Sequence, residues 1–200
     1  MKILVSLLLV FLTISCKKEE SSSDESIEDS NKYMEDINKK ITQNKPFFDF
    51  DEVIHYQIPI DENEYYDLIL ADTISEKGKI FEFLLREPCP ETKEEKIKFK
   101  EAIKSVDKVE NTAINPKYYD ELRTQIFAEK RCDQFFIAAC DPIYRDIFIF
   151  KMNKEETGMA KICFKCGLYS FSNKSAIVDC FNMNGELSRL KKIISENKKS

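Results

Sequence analysis

Apolar residues recur along this chain in patterns that change from segment to segment. A nearly unbroken run from Ile3 to Leu12, interrupted by Ser6, opens it. Ile27, Met34, Ile37 and Ile41 then return at near-helical spacing through a polar stretch. With Ser26 placed to cap and Asp29 three residues on, this predicts a helix within residues 26–43, over before Pro46. After Phe47-Phe48, the β-branched and aromatic stretch Val53 to Ile58 predicts a strand ending at Pro59. Residues 65–74 fit a short helix or a strand. Lys79 to Leu85 puts Phe81, Phe83 and Leu85 at alternate positions, which predicts a strand. Thr92 with Glu95 forms a capping box for a helix of about 14 residues whose stripe is Ile97, Phe99, Ile103 and Val106. Asn115-Pro116 opens another helix, with Tyr118, Leu122, Ile126 and Phe127 facing inward.

The second half reads as strands. Phe135 to Ala139, Asp146 to Lys151, Gly158 to Cys163 and Leu168 to Phe171 are short apolar or alternating runs between turns. The polar residues 152–157 predict a hairpin, so the flanking strands are antiparallel neighbours. Placing Phe150 opposite Met159 brings Cys163 close to Asp146. Residues 182–185 read as a turn, and Glu186 to Asn197 as a closing helix with Leu187, Leu190, Ile193 and Ile194 inward. The expected fold is a single α+β domain, an antiparallel sheet packed with two or three helices.

The opening run changes the picture. About 10 apolar residues are too few to span a bilayer as a helix. Behind Met1-Lys2 they read as the apolar region of a secretory signal. The run ends in Leu12-Thr13-Ile14-Ser15-Cys16, which resembles the lipobox of bacterial lipoproteins. Ser15 is the small residue before the cut, and Thr13 stands where that family usually carries Leu. The resemblance implies a signal peptide over 1–15 and acyl chains on Cys16, anchoring the chain to a membrane. Lys17-Lys18-Glu19-Glu20 and the Ser-rich residues after it resemble the export signal of surface lipoproteins of Bacteroidota. That implies an outer-membrane lipoprotein, at the cell surface or on the periplasmic face. Residues 16–45 read as a lipidated cysteine and polar tether, and 46–200 as the folded domain.

Charge narrows the partners. The 200 residues carry 31 basic and 36 acidic side chains, a net −5, and that mild acidity disfavours nucleic acid as a partner, because phosphate binding needs a clustered basic surface. A single histidine, His55, excludes mechanisms and metal sites that need two. No P-loop, GxGxxG or Ser-His-Asp set appears, and catalysis is not expected.

With Cys16 assigned to lipid, six cysteines remain, an even number that reads as disulfides in an oxidising compartment. The hairpin gathers Cys140, Cys163 and Cys166 at one end of the sheet. Three chemistries stay open there. One is a disulfide from Cys140 to Cys163 or Cys166. Another is a metal site, zinc being the candidate, with those three thiols and either His55 or an acid such as Asp141. The third is a redox-active CxxC, although the βαβ surroundings of thioredoxin-like motifs are missing. No other cofactor is expected. Asp141-Pro142 starts a turn, and Arg145 can fork to Asp146 or Asp133. The sharper alternative has Tyr144 and Arg145 recognising an anionic ligand beside the cysteines.

The sequence Cys140-Asp-Pro-Ile-Tyr-Arg-Asp146, the Ile/Phe strand, Ile162-Cys-Phe-Lys-Cys166 and the final helix together resemble a family of bacterial proteins of unknown activity, many of them lipoproteins. The resemblance covers roughly residues 130–195, implies no reaction, and leaves Cys180 outside its pattern. The expected function is a membrane-anchored envelope lipoprotein serving as a structural or interaction module, its membrane contact made through the lipid. The alternative is a thiol-disulfide or metal-binding factor using Cys140, Cys163 and Cys166.

Overall fold

The structure, a computed structural model, describes residues 22–71, 73–134 and 140–199, with side chains from residue 29 onward. The apolar opening run, Cys16, residues 17–20 and the strand expected over Phe135 to Ala139 lie outside the described residues. Five antiparallel strands, β1 (Glu52–Gln57), β2 (Glu110–Ala113), β3 (Asp146–Met152), β4 (Glu155–Cys163) and β5 (Leu168–Phe171), form one sheet in the order β2-β1-β3-β4-β5. Helices cover both of its faces, so the molecule is an α+β domain.

The central position of β3 follows from its sequence. Asp146 to Phe150 are all buried. Phe148 and Phe150 enter one core, while Ile147 and Ile149 enter the other. A strand covered on both sides has no polar face, which is why Ile147-Phe-Ile-Phe150 shows no alternation. The first core holds Tyr118, Leu122, Ile126 and Phe127 from a tight helical segment: a 3₁₀ turn (Pro116–Tyr118), α5 (Tyr119–Glu121) and a π-helical turn (Leu122–Ile126). Beside them lie Leu187, Leu190 and Ile193 of α6 (Glu186–Asn197). The second core is filled from α2 (Glu62–Ile69), α3 (Glu76–Leu85) and α4 (Lys93–Ser105). The N-terminal helix α1 (Ser22–Lys40) and the residue after it dock separately, Met34 and Ile41 packing against Cys132 and Cys180.

Several expectations are corrected. Lys79 to Leu85 is helical, within α3. Ser75 Oγ accepts the Gly78 amide proton at 3.0 Å, capping the helix, and Phe81, Leu84 and Leu85 are the buried positions. Alternate apolar residues over seven positions fit a strand as well, and only packing on the sheet separates the two. The ambiguous 65–74 region is helical to Ile69. The capping box at Thr92 and Glu95 is present, but Ile97 is half exposed and Ala102 takes the inward place. The α1 helix starts before Ser26, at Ser22, and ends at Lys40, well short of Pro46.

The β3–β4 hairpin is tighter than a six-residue loop. Asn153 and Lys154 alone make the turn, with φ of 52° and 70°, the left-handed pair that matches strand twist. Phe150 therefore faces Gly158, and Asp146 faces Ile162, one residue from the expected register. Pairing then slips. Lys151 opposes Glu156, leaving Thr157 as an extra residue, a β-bulge. The bulge puts Glu156 on the same side as Lys151, toward α4, while the Thr157 hydroxyl donates to the Asp49 carbonyl at 2.6 Å.

Candidate functional site

The cysteine corner is assembled by three chain segments. Cys163 ends β4, Cys166 sits on the 164–167 turn, and Cys140 begins the loop that enters β3. Gly167, at φ 73°, closes the turn with its amide donating to the Cys163 carbonyl at 2.9 Å. Lys165 on the turn pairs with Glu62 of α2. The 140–145 loop is clamped from two sides. Arg86, just past α3, meets Asp141 at 3.0 Å, and the Tyr144 amide donates to the Leu85 carbonyl at 2.7 Å. The Arg145 carbonyl accepts from Ile58 at 2.9 Å.

Cys140 and Cys166 are joined in a disulfide, their Cα atoms 6.1 Å apart. Cys163 stays a free, buried thiol and lines the same small cavity as the two bonded cysteines, with Asp141, Arg145 and Lys165. That cavity holds about 20 Å³, the room of roughly one water molecule. A second disulfide joins Cys132 to Cys180, Cα 5.4 Å apart. Asn38 of α1 grips that region from both sides: its Nδ2 donates to the Cys132 carbonyl at 2.8 Å and its Oδ1 accepts the Cys132 amide proton at 3.2 Å. The bridge thus sits beneath the docked N-terminal helix.

Other residues singled out in the sequence fall elsewhere. Arg145 reaches neither Asp146 nor Asp133 in the expected fork; its guanidinium donates to the Ile60 carbonyl at 3.2 Å. Asp146 is taken by His55, whose Nε2 lies 2.8 Å from Oδ1 while the ring stacks on Phe148 at 4.7 Å. His55 shares a face of the sheet with Asp146 and Phe148. Cys163, one residue out of phase with Ile162, faces the other way. His55 therefore cannot join the three thiols as a ligand. Among the described residues, no group of three or more His, Cys, Asp or Glu is arranged to hold a metal ion. Tyr144 is buried on the Cys163 side, and burial first, then the nearby thiols, pushes its hydroxyl up to about 12. It packs over Lys161 rather than beside Arg145 in the cysteine cavity.

Lys161 is the feature that reading the sequence missed. It lies in the middle of β4, fully buried, its ammonium donating to the Glu87 carbonyl and lying 5.7 Å from the Phe99 ring centre and 5.4 Å from that of Tyr144. Burial lowers its pKa to about 8. Cys89 lies close by, its amide donating to the Ser170 hydroxyl at 2.9 Å, and burial pushes its thiol up to about 11. The alternation Met159, Lys161, Cys163 carried a hint, because it sets Lys161 among inward residues. A lone lysine on a strand is nevertheless ordinarily read as exposed.

Neither the known protein families, nor the curated proteins, nor the solved structures contain a match to this chain.

Proposed function

We propose that the protein is a lipid-anchored lipoprotein of the bacterial cell envelope, its α+β domain a structural or interaction module held outside the cytoplasm. The observation that supports this most is the cysteine pairing: four of the six cysteines after Cys16 lie in two disulfides, a usage that belongs to oxidising compartments. It agrees with an apolar start that ends at Cys16. Several acyl chains there, at about 0.8 kcal/mol per buried methylene, make a stable anchor. The residues Lys17 to Glu20 favour an outer-membrane location. No helix among the described residues is long and apolar enough to cross a membrane.

Metabolic labelling with palmitate, followed by fractionation, tests this. The parent chain takes up label and sediments with membranes, and Cys16→Ser takes up none. A labelled serine variant sinks the anchoring reading. Replacing Lys18, Glu19 and Glu20 together with Ala keeps the label and reduces cleavage by protease added to intact cells; unchanged cleavage removes the surface-export reading.

A second reading rests on one observation, the free Cys163 thiol against the Cys140–Cys166 bridge. Attack by the Cys163 thiolate on either bridged sulfur forms one new disulfide and expels one thiolate, with no net oxidation. The domain would then be a thiol-exchange factor, or, with the bridge reduced, a zinc-binding one. Non-reducing peptide mapping with a metal assay separates them: mixed Cys163 disulfides favour exchange, and three alkylatable thiols with one zinc per chain favour the metal.

A further inference from the structure

Between α4, the 106–109 turn with the start of β2, and the edge of the hairpin lies a cavity of about 580 Å³, well within the range of small-molecule sites. Its floor is apolar, made by Tyr56, Ile103, Val106 and Ile149. Lys104, Lys108 and Lys154 stand exposed around it, and no ion pair or hydrogen bond is found for their ammonium groups among the described residues. The other two lysines in its wall are engaged, Lys100 with Glu156 at 3.0 Å and Lys151 with Glu52 at 3.2 Å.

Glu156 makes this more than a basic-rimmed groove. Its side chain is 9% exposed, and neither carboxylate oxygen has a hydrogen bond among the described residues. Lys100 stands at ion-pair distance from Oε2, off the hydrogen-bonding direction, and nothing answers Oε1. A buried acceptor left open calls for a partner. The chain also departs from regular pairing to put it there. Were Thr157 paired regularly with Lys151, Glu156 would follow Gly158 and Ala160 onto the opposite face. With Thr157 bulged out, Glu156 opposes Lys151 and turns into the cavity, as bulges beside functional sites do.

We propose that this cavity binds a small amphiphilic anion: an apolar or aromatic body on the Ile103–Ile149 floor, one anionic group among Lys104, Lys108 and Lys154, and an N–H or O–H donated to Glu156 Oε1. The three requirements come from three separate features, and a solely apolar or solely anionic compound meets only part of them. The inference is independent of how the chain is anchored and of the cysteine corner, which lies at the other end of β3.

The dye 8-anilinonaphthalene-1-sulfonate has all three parts. N-phenyl-1-naphthylamine has the same body and N–H without the anion. Both are titrated against the full chain, purified oxidised and without detergent, following fluorescence. The expected result is one saturable site for the sulfonate per chain, with the neutral dye about tenfold weaker. Lys104→Glu with Lys108→Glu, both exposed positions, should weaken the sulfonate about tenfold, leave the neutral dye unchanged and leave the melting temperature in place. Val106→Trp, filling the cavity, should abolish both, and Glu156→Leu should weaken both. Unsaturable binding, or sulfonate affinity that survives the double lysine reversal in a folded protein, overturns the proposal. Undiminished affinity in Glu156→Leu removes the carboxylate from the site and overturns its donor requirement.

Discussion

Gly158 on β4 lies directly against the ring of Phe48: a Cβ on the glycine would come within 2.1 Å of Phe48 Cδ1 and 2.4 Å of Cε1. The ring cannot retreat, because it stacks on Phe150 at 4.3 Å and meets Phe127 and Phe171 at its edges. Gly158→Ala should therefore destabilise the domain by about 1–3 kcal/mol through overpacking. Urea unfolding measures it. Gly158→Ala combined with Phe48→Leu should recover part of the loss, and a neutral Gly158→Ala would mean the aromatic cluster shifts freely.

The two disulfides close segments separated by 26 and 48 residues. Chain entropy assigns them about 3.5 and about 4 kcal/mol respectively, as upper values. Cys140→Ala and Cys132→Ala should each lower the melting temperature by many degrees. In the parent, the thiols of Cys89 and Cys163 should alkylate slowly while folded and fully in denaturant, and each alanine variant should add one thiol. Loss of stability in Cys89→Ala comparable to these would contradict the assignment of bonded and free cysteines.

Asn197 at the end of α6 bridges to the last residue of β2 and the chain just after it. Its Oδ1 accepts the Asn115 amide proton at 2.8 Å and its Nδ2 donates to the Ala113 carbonyl at 3.0 Å. Asn197→Ala leaves both backbone groups without that partner and should cost about 1–3 kcal/mol. Asn197→Asp keeps the acceptor and loses the donor, so it should fall between. Hydrogen exchange at Asn115 should quicken in Asn197→Ala, and unchanged exchange there would rule the bridge out.

Lys161 sets a pH dependence. Its pKa is about 8 in the folded protein against 10.5 ordinarily. Between these values the unfolded chain holds a proton that the folded one has released, so stability rises with pH from about 8 to 10.5. Below pH 8 both states are charged, and folding carries the full cost of burying the ammonium, about 3 kcal/mol. Cys89 works in the opposite direction, its stability contribution lost as pH rises from 9.0 toward 11. Comparing Lys161→Met with the parent cancels much of that. The methionine variant should be the more stable at pH 7, and its advantage should shrink by pH 10. A constant difference across that range would mean Lys161 is neutral throughout or charged throughout.

Local chemistry was legible in the chain. Thr92 and Glu95 announce a helix start because capping needs only residues three apart. Glu186 to Asn197 could be bounded because an apolar stripe and a preceding glycine coincide there. The strands β3, β4 and β5 declared themselves by composition, and a corner holding Cys140, Cys163 and Cys166 followed from one hairpin. These features rest on neighbours in sequence, and neighbours in sequence are what a reader of residues can see.

The rest was decided by distant contacts. Phe81, Phe83 and Leu85 fit a strand until α2 and α4 stand beside them, and then helical spacing buries Phe81, Leu84 and Leu85 together. Cys166 rather than Cys163 meets Cys140 because the pleat of β4 turns the Cys163 side chain inward on the face that bears the second core, while Cys166 rides the turn beyond the strand. Cys132 finds Cys180 only when 48 intervening residues have folded. Lys161 is interior because helices cover the face of the sheet it occupies, and Glu156 enters a cavity because one extra residue slips the ladder. A side chain's partners across the sheet depend on register and on which layer lies above it, and neither is written in the residues on either side.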